Sequence, residues 1–142
     1  MRLLIDGNII MDVLQNREPH LKDSSKIWKL CETGQVEGFV STLTFANLVY
    51  VMRRELNAEA IEQTLRILML IFRFAELNEW DLLKAAEARW NDYEDALQAA
   101  AANRIHADYL ITRNEKDFSE SNVPALSPKE FLGRFMRASG KT

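Results

Sequence analysis

One cysteine, Cys31, is all the chain has, so no internal disulfide is available and a reducing cytoplasm is its expected setting. Cys31 has no histidine partner in view and reads as a small buried apolar residue. Only 2 histidines occur, His20 and His106, and their separation excludes any histidine metal motif. No surplus of either charge stands out: the net charge is −3, which lacks the basic signature usual for nucleic-acid binding but leaves room for acidic metal ligands beside basic patches. Long hydrophobic runs are missing too. The opening run is short and is broken by Asp6, unlike a secretion signal. The most apolar later segment, Leu65 to Phe74, contains Arg66 and Arg73 and is too short to span a bilayer. Linkers, repeats and low-complexity blocks are absent, and 142 residues suit one domain with a real core.

What is present is an alternation of short apolar runs and helical patterns. Arg2-Leu3-Leu4-Ile5, closed by Asp6-Gly7-Asn8, reads as a strand buried on both faces. Helices are expected over Asn8 to Gln15, His20 to Glu32 and Leu43 to about Glu55, with a second strand at Glu37 to Ser41. Asn57 caps a fourth helix reaching Arg73, and a weak strand follows at Phe74 to Leu77. Asp81 to Trp90 and Tyr93 to Arg104 are helical, the latter capped by Asp92 and Ala-rich at Ala99 to Ala102, so it can lie close to a neighbour. Ala107 to Thr112 is a clear strand, Asn114 to Phe118 a turn or short helix, and Val123 to Leu126 an edge strand. Ser127-Pro128 opens a last helix, and the domain is expected to span 1–137 with a disordered tail over 138–142. Strands separated by helices predict an α/β domain with a parallel sheet and right-handed crossovers.

Three polar clusters follow apolar segments: Asp6-Gly7-Asn8, Asp92-Tyr93-Glu94-Asp95 and Thr112-Arg113-Asn114-Glu115-Lys116-Asp117. The first and third lie just past the two best strands, at the sheet edge where parallel α/β folds bind ligands. Carboxylates gathered there repel one another unless a cation joins them, and hard oxygen donors suit Mg²⁺ or Mn²⁺. Simple capping competes with this: Asp92 with Asp95, and Asn114 with Asp117, both have the spacing of a helix N-cap with an acid at its third position. Asp6, directly after a buried strand, has no such structural use. Asp12, one turn beyond Asn8, reads as a cap partner or surface residue. Trp28, Trp80 and Trp90 sit where core packing is expected, and Arg53, Arg54 and Arg104 read as solvated surface. Arg113 and Lys116, beside the acidic turn, are the cations placed to meet a phosphate backbone.

The chain resembles the PIN-domain family, metal-dependent ribonucleases that include toxins of bacterial toxin–antitoxin pairs. The resemblance runs from about Leu3 to Phe131 and rests on Leu4 to Leu14, Asp92 to Ala101 and Ala107 to Phe118, in that order and spacing. It implies a three-layer α/β/α fold with a central parallel sheet. It also implies that Asp6, Asp95 and Asp117 hold Mg²⁺ or Mn²⁺ and carry hydrolysis of RNA, with Asn8, Asn47, Asp92, Thr112 and Asn114 orienting ligands or water. The family's second acid, a glutamate, falls at Asn47, which brings no charge and cannot serve as a general base; asparagine is usual there in one bacterial subgroup. The fourth helix has apolar residues on more than one side, which fits either a protein interface or a helix packed on both sides by its own chain; the resemblance implies a homodimer, with an antitoxin protein as a second partner.

Two other readings compete. One is a PIN-fold module that binds RNA or protein with little or no catalysis, for which Asn47 is the discriminating residue. The other is a different α/β phosphate enzyme or phospho-acceptor domain, which would want a lysine at a strand end; here Lys116 lies in a turn.

Overall fold

The computed structural model describes residues 1–140. A short first strand, β1 (Arg2–Ile5), occupies the middle of a five-stranded sheet, and every pairing in that sheet is parallel. Its neighbours are β2 (Glu37–Ser41) on one side and β4 (Tyr109–Ile111) on the other; β3 (Arg73–Ala75) and β5 (Ala125–Leu126) form the edges. Chain order therefore reverses at β1, which opens a crevice at the carboxyl end of β1 and β4.

The central position explains the sequence of β1. Leu3 and Ile5 pack on one face with Ile9, Ile27, Val40, Leu48 and Phe131, while Leu4 packs on the other with Phe39, Ala99, Ala102, Leu110 and Phe118. Buried on both sides, the strand is apolar at every inward position. The first face is covered by α1 (Gly7–Leu14), α2 (Leu21–Glu32), α3 (Thr42–Met52), α4 (Ala58–Ile71) and α7 (Pro128–Ala138). The second face carries α6 (Tyr93–Arg104), backed by α5 (Glu79–Ala88) through Ala85, Ala96 and Leu97. Alanines 99, 101 and 102 are buried, so small side chains let α6 lie close to the sheet. This is the expected three-layer α/β/α arrangement.

Gly7 sets the approach of α1 to α3. A Cβ there would stand 3.0 Å from Thr44 Cγ2, closer than neighbours normally tolerate. The absence of a side chain brings the start of α1, and with it Asp6, against the first turn of α3.

Several boundaries differ from the sequence reading. Helix α4 stops at Ile71 because Phe72 turns extended and buries itself; β3 then begins at Arg73, earlier than the Phe74 expected. Helix α5 starts at Glu79, before Asp81, because Asn78 caps it and Asp81 returns the bond to the Asn78 amide. Asp81 is also the partner of Arg104, with Nε 2.9 Å from Oδ2, so that arginine is a structural tie between α5 and α6 rather than free surface. Trp80 is 64% exposed and is not a core residue. Asp12, expected at a cap or on the surface, is completely buried. At the carboxyl end Ala138 closes α7 and Ser139 caps it; positions 141–142 of the expected tail lie outside the described residues. Among the described residues no helix is long and apolar enough to cross a membrane.

Candidate metal centre

Asp6 leaves β1 and occupies the N-cap position of α1, yet its side chain makes no capping bond. Both carboxylate oxygens are held from elsewhere. Thr112 Oγ1, at the end of β4, donates to Oδ2 at 2.7 Å, and Gln98 Nε2, on α6, donates to Oδ1 at 3.1 Å. Thr112 is itself fixed, because its hydroxyl accepts from the Asn114 amide at 3.1 Å. Behind Gln98 runs a chain of neutral groups: Ser41 Oγ donates to Thr44 Oγ1 at 3.0 Å, and Thr44 Oγ1 donates to Gln98 Oε1 at 3.4 Å. With its oxygen so engaged, Gln98 must present its amide hydrogens to Asp6. The Ser41–Thr44 pair is also the N-cap of α3, so the cap that starts the helix begins the relay.

A cleft of about 340 Å³ lies over this carboxylate, lined by Asp6, Asn8, Arg17, Asn47, Asp95 and Asn114 among others. Asn47 on α3 therefore faces the same space as Asp6, although no hydrogen bond joins the two. Asn8 Oδ1 is buried without a partner. A second cleft, of about 480 Å³, is lined by Arg89, Trp90, Asp92, Asp95, Lys116 and Asp117. Asp95 is the one sequence-predicted acid that lines both.

Its position raises its proton affinity. Burial, together with the carboxylates of Asp92, Asp6, Asp117 and Glu94, pushes the Asp95 carboxyl from the ordinary 3.8 up to about 6. The first turn of α6 thus gathers negative charge that no ion pair among the described residues neutralises. Asp92 also caps α6, accepting from the Asp95 amide at 3.1 Å, so capping and membership of the cleft coexist there. Asn114 differs: its side chain makes no capping bond and it lines the Asp6 cleft instead. Asp117 and Lys116 are exposed on a 3-10 turn at Glu115–Phe118.

Arg113 departs from the sequence reading. Its Nε atom lies 3.0 Å from Asp12 Oδ2, and its side chain lines a separate cavity with His20, Ser24, Glu115 and Lys129. It is tied to Asp12 and does not line the Asp6 cleft. Arg17, which nothing in the sequence singles out, lines that cleft and is steadied by Gln15 Oε1 at 2.8 Å. Gln98 is a second residue that sequence reasoning misses. Its one signal is positional, since it follows Asp95 by one helical turn and shares its face.

The donor set fits a hard divalent cation of a particular kind. Among the described residues no three His, Cys, Asp or Glu side chains come together as a ready cage. The uncompensated charge around Asp95, the orphaned Asn8 oxygen and the all-oxygen chemistry suit an ion that keeps several waters and takes only one or two carboxylates directly, as Mg²⁺ does.

Comparison with known proteins identifies the family and agrees with the fold. A family model described as PIN domain matches residues 2–116. The curated protein Ribonuclease VapC1 of Aquifex aeolicus (strain VF5) is 25% identical over 138 residues, covering 94% of this chain and 95% of that protein. Among solved structures, VapBC-1 from nontypeable Haemophilus influenzae aligns with a TM-score of 0.69 at 21% identity, over 91% of this chain and 99% of that one. A toxin–antitoxin complex from Klebsiella pneumoniae aligns with a TM-score of 0.67 at 20% identity, over 89% and 97%. At such identities the structural likeness is one of fold.

Proposed function

The chain belongs to the PIN domain family, and from that premise we propose that it is a Mg²⁺- or Mn²⁺-dependent endoribonuclease, the toxin of a toxin–antitoxin pair acting in the cytoplasm. The observation that carries this reading is that Asp95 lines one cleft with Asp6 and a second with Asp92 and Asp117, and its raised proton affinity, due first to burial and then to these acids, agrees with that grouping. Acids from the end of β1, the 3-10 turn after β4 and the start of α6 are near enough to feel one another, and no ion pair among the described residues offsets them.

Asp6, Asp95 and Asp117 would hold the ion, one or two of them directly and the rest through its waters. When bound, it supplies Lewis acidity to the phosphodiester and lowers the pKa of an attacking water. The protein's part is orientation. Gln98 and Thr112 fix the two oxygens of Asp6, and Asp92 fixes the first turn of α6 on which Asp95 stands. Arg17 on one cleft and Lys116 on the other supply positive charge to the flanking phosphates. Asn8, Asn47 and Asn114 offer amides that orient water or ligands without adding charge.

Similarity to the Aquifex ribonuclease supports an RNA substrate, and similarity to the Klebsiella toxin–antitoxin complex supports an antitoxin as partner. Homodimerisation is supported by the apolar residues that α4 leaves exposed, Ile67, Met69 and Leu70. Asn47 favours a second reading, a PIN-fold binding module with little catalysis, because it removes a charge from the cleft.

Incubating purified protein with a pool of structured RNA and Mn²⁺ separates the two. Cleavage that EDTA and Asp6→Asn both abolish supports the nuclease. Intact RNA, or cleavage indifferent to Asp6→Asn, leaves the binding module.

A further inference from the structure

Arg113 stands between two residues that serve the Asp6 cleft, and its own side chain leads elsewhere. Thr112 donates to Asp6, Asn114 lines the cleft, and Arg113 reaches to Asp12 in the last turn of α1. Asp12 is fully buried; its Oδ2 receives Ser24 Oγ at 2.8 Å and lies 3.0 Å from Arg113 Nε, while Oδ1 has no partner. Helix α1 is therefore joined to one short segment at both ends, through Asp6 to Thr112 and through Asp12 to Arg113.

A buried ion pair is a poor source of stability, since apolar side chains of similar size often serve as well or better. What it adds is a short charge contact between two elements, 3.0 Å long, although the Arg113 Nε–H makes no hydrogen bond. The pair holds the 112–114 segment at a fixed height along α1, and one of the two Asp6 oxygens, Oδ2, is aimed from that segment.

We propose that Asp12 and Arg113 are positioning residues of the catalytic cleft: their ion pair fixes the Thr112–Asn114 segment and, through it, the orientation of Asp6. This rests on the ribonuclease reading for its effect on rate, but not for its effect on the segment.

The test uses full-length Asp12→Asn and Arg113→Lys beside the unaltered protein, with two readouts. Hydrogen exchange at the Asn114 amide reports the segment whether or not RNA is cleaved, and should accelerate about 10-fold in Asp12→Asn. In RNA cleavage, kcat should fall about 10- to 100-fold, the loss usual when the groups orienting a metal's ligands are removed, with KM changed less than about twofold. Arg113→Lys keeps a charge for Asp12 and should retain more of both. Unchanged exchange at Asn114 overturns the proposal. So does a kcat that returns fully when an osmolyte restores the melting temperature of Asp12→Asn, because the pair would then act through stability alone. Should Asp12→Asn not fold, Ser24→Ala removes only the hydroxyl donor and should move both readouts in the same direction by less. If the unaltered protein does not cleave RNA, the ribonuclease reading fails and the exchange measurement still decides the clamp.

Discussion

Gln98 donates from Nε2 to Asp6 Oδ1 at 3.1 Å, so the helix that carries Asp95 also aims the carboxylate at the end of β1. Two acids from distant parts of the chain are thereby set relative to each other through one neutral side chain. A carboxylate in place of the amide would repel Asp6; an apolar group would free it to rotate.

Gln98→Leu should therefore lower kcat for RNA cleavage by about 10- to 100-fold, in line with other groups that orient metal ligands. Stability should fall by about 1.5–3 kcal/mol, the worth of a hydrogen bond to a charged group, because Asp6 loses a donor; the Thr44 hydroxyl loses only a long bond to Gln98 and still accepts from Ser41. Gln98→Glu should be as slow, because the carboxylate cannot donate to Asp6, but should need less Mn²⁺ to reach half its maximal rate, because it adds a negative charge to the cleft. Rates at saturating RNA across a Mn²⁺ titration distinguish the two variants. A Gln98→Leu protein as fast as the parent would show that Asp6 is aimed by Thr112 alone.

The parts of this site that obey local rules are legible in the sequence. Asp6 is legible because a charge after a strand buried on both faces has no structural use. Asp92 is legible as a cap, and the order of strands and helices follows from the change between short apolar runs and helical spacing. The pairings that orient these groups are not legible, because each joins residues far apart in sequence that only the sheet order brings together: Gln98 with Asp6, and Asp12 with Arg113. Arg113 misleads for this reason. An arginine beside an acidic turn looks available for phosphate until a buried carboxylate on another helix claims it. The capping box at Asn78 and Asp81 is visible in its spacing, yet the expected helix starts two residues late, at Asp81, the acid that returns the cap's bond.

Asp95 should make the apo protein less stable as pH rises through its titration. The folded carboxyl holds its proton up to about pH 6, whereas the unfolded one releases it near 3.8. Between these values the folded state binds more protons, so stability falls with rising pH across that window. Asp95→Asn removes the effect and should melt higher than the parent at pH 7, while cleaving no RNA. Adding Mn²⁺ at pH 7 should raise the melting temperature of the parent much more than that of the variant, since an ion that binds only the folded state stabilises it. Thermal melts from pH 4 to 8, with and without Mn²⁺, measure all three. A parent melt that is flat between pH 4 and 6 would remove the carboxylate repulsion from the explanation.

Gly38 on β2 is a packing constraint unconnected to chemistry. A Cβ there would collide with Cys31 Sγ and stand 3.1 Å from Phe72 Cδ1. Gly38→Ala should cost about 1–3 kcal/mol, as overpacking a dense core does. Cys31→Ala in the same chain clears the main obstacle, so the double variant should be more stable than the sum of the single losses. Denaturant melts of the three variants measure the coupling. Burial also pushes the Cys31 thiol up to about 12, so iodoacetamide at pH 8 should modify it only after unfolding.

Asn47 is the position where adding a charge separates a weakened site from an absent one. It lines the cleft over Asp6 and is exposed there, so a glutamate fits without repacking the core. Asn47→Glu brings a further carboxylate near Asp6 and Asp95, whose charge no ion pair among the described residues offsets. Without metal it should lower the melting temperature at pH 7; with Mn²⁺ it should recover and exceed the parent's metal-induced gain. Affinity for Mn²⁺ should rise about 10-fold, and cleavage at limiting Mn²⁺ should rise with it, whereas the advantage should shrink once the metal is saturating. That pattern would mean that the asparagine tunes metal demand in a working nuclease. Tighter Mn²⁺ binding with no cleavage at any metal concentration would mean that the cleft holds its ion without acting on RNA, and would move the conclusion to the binding module.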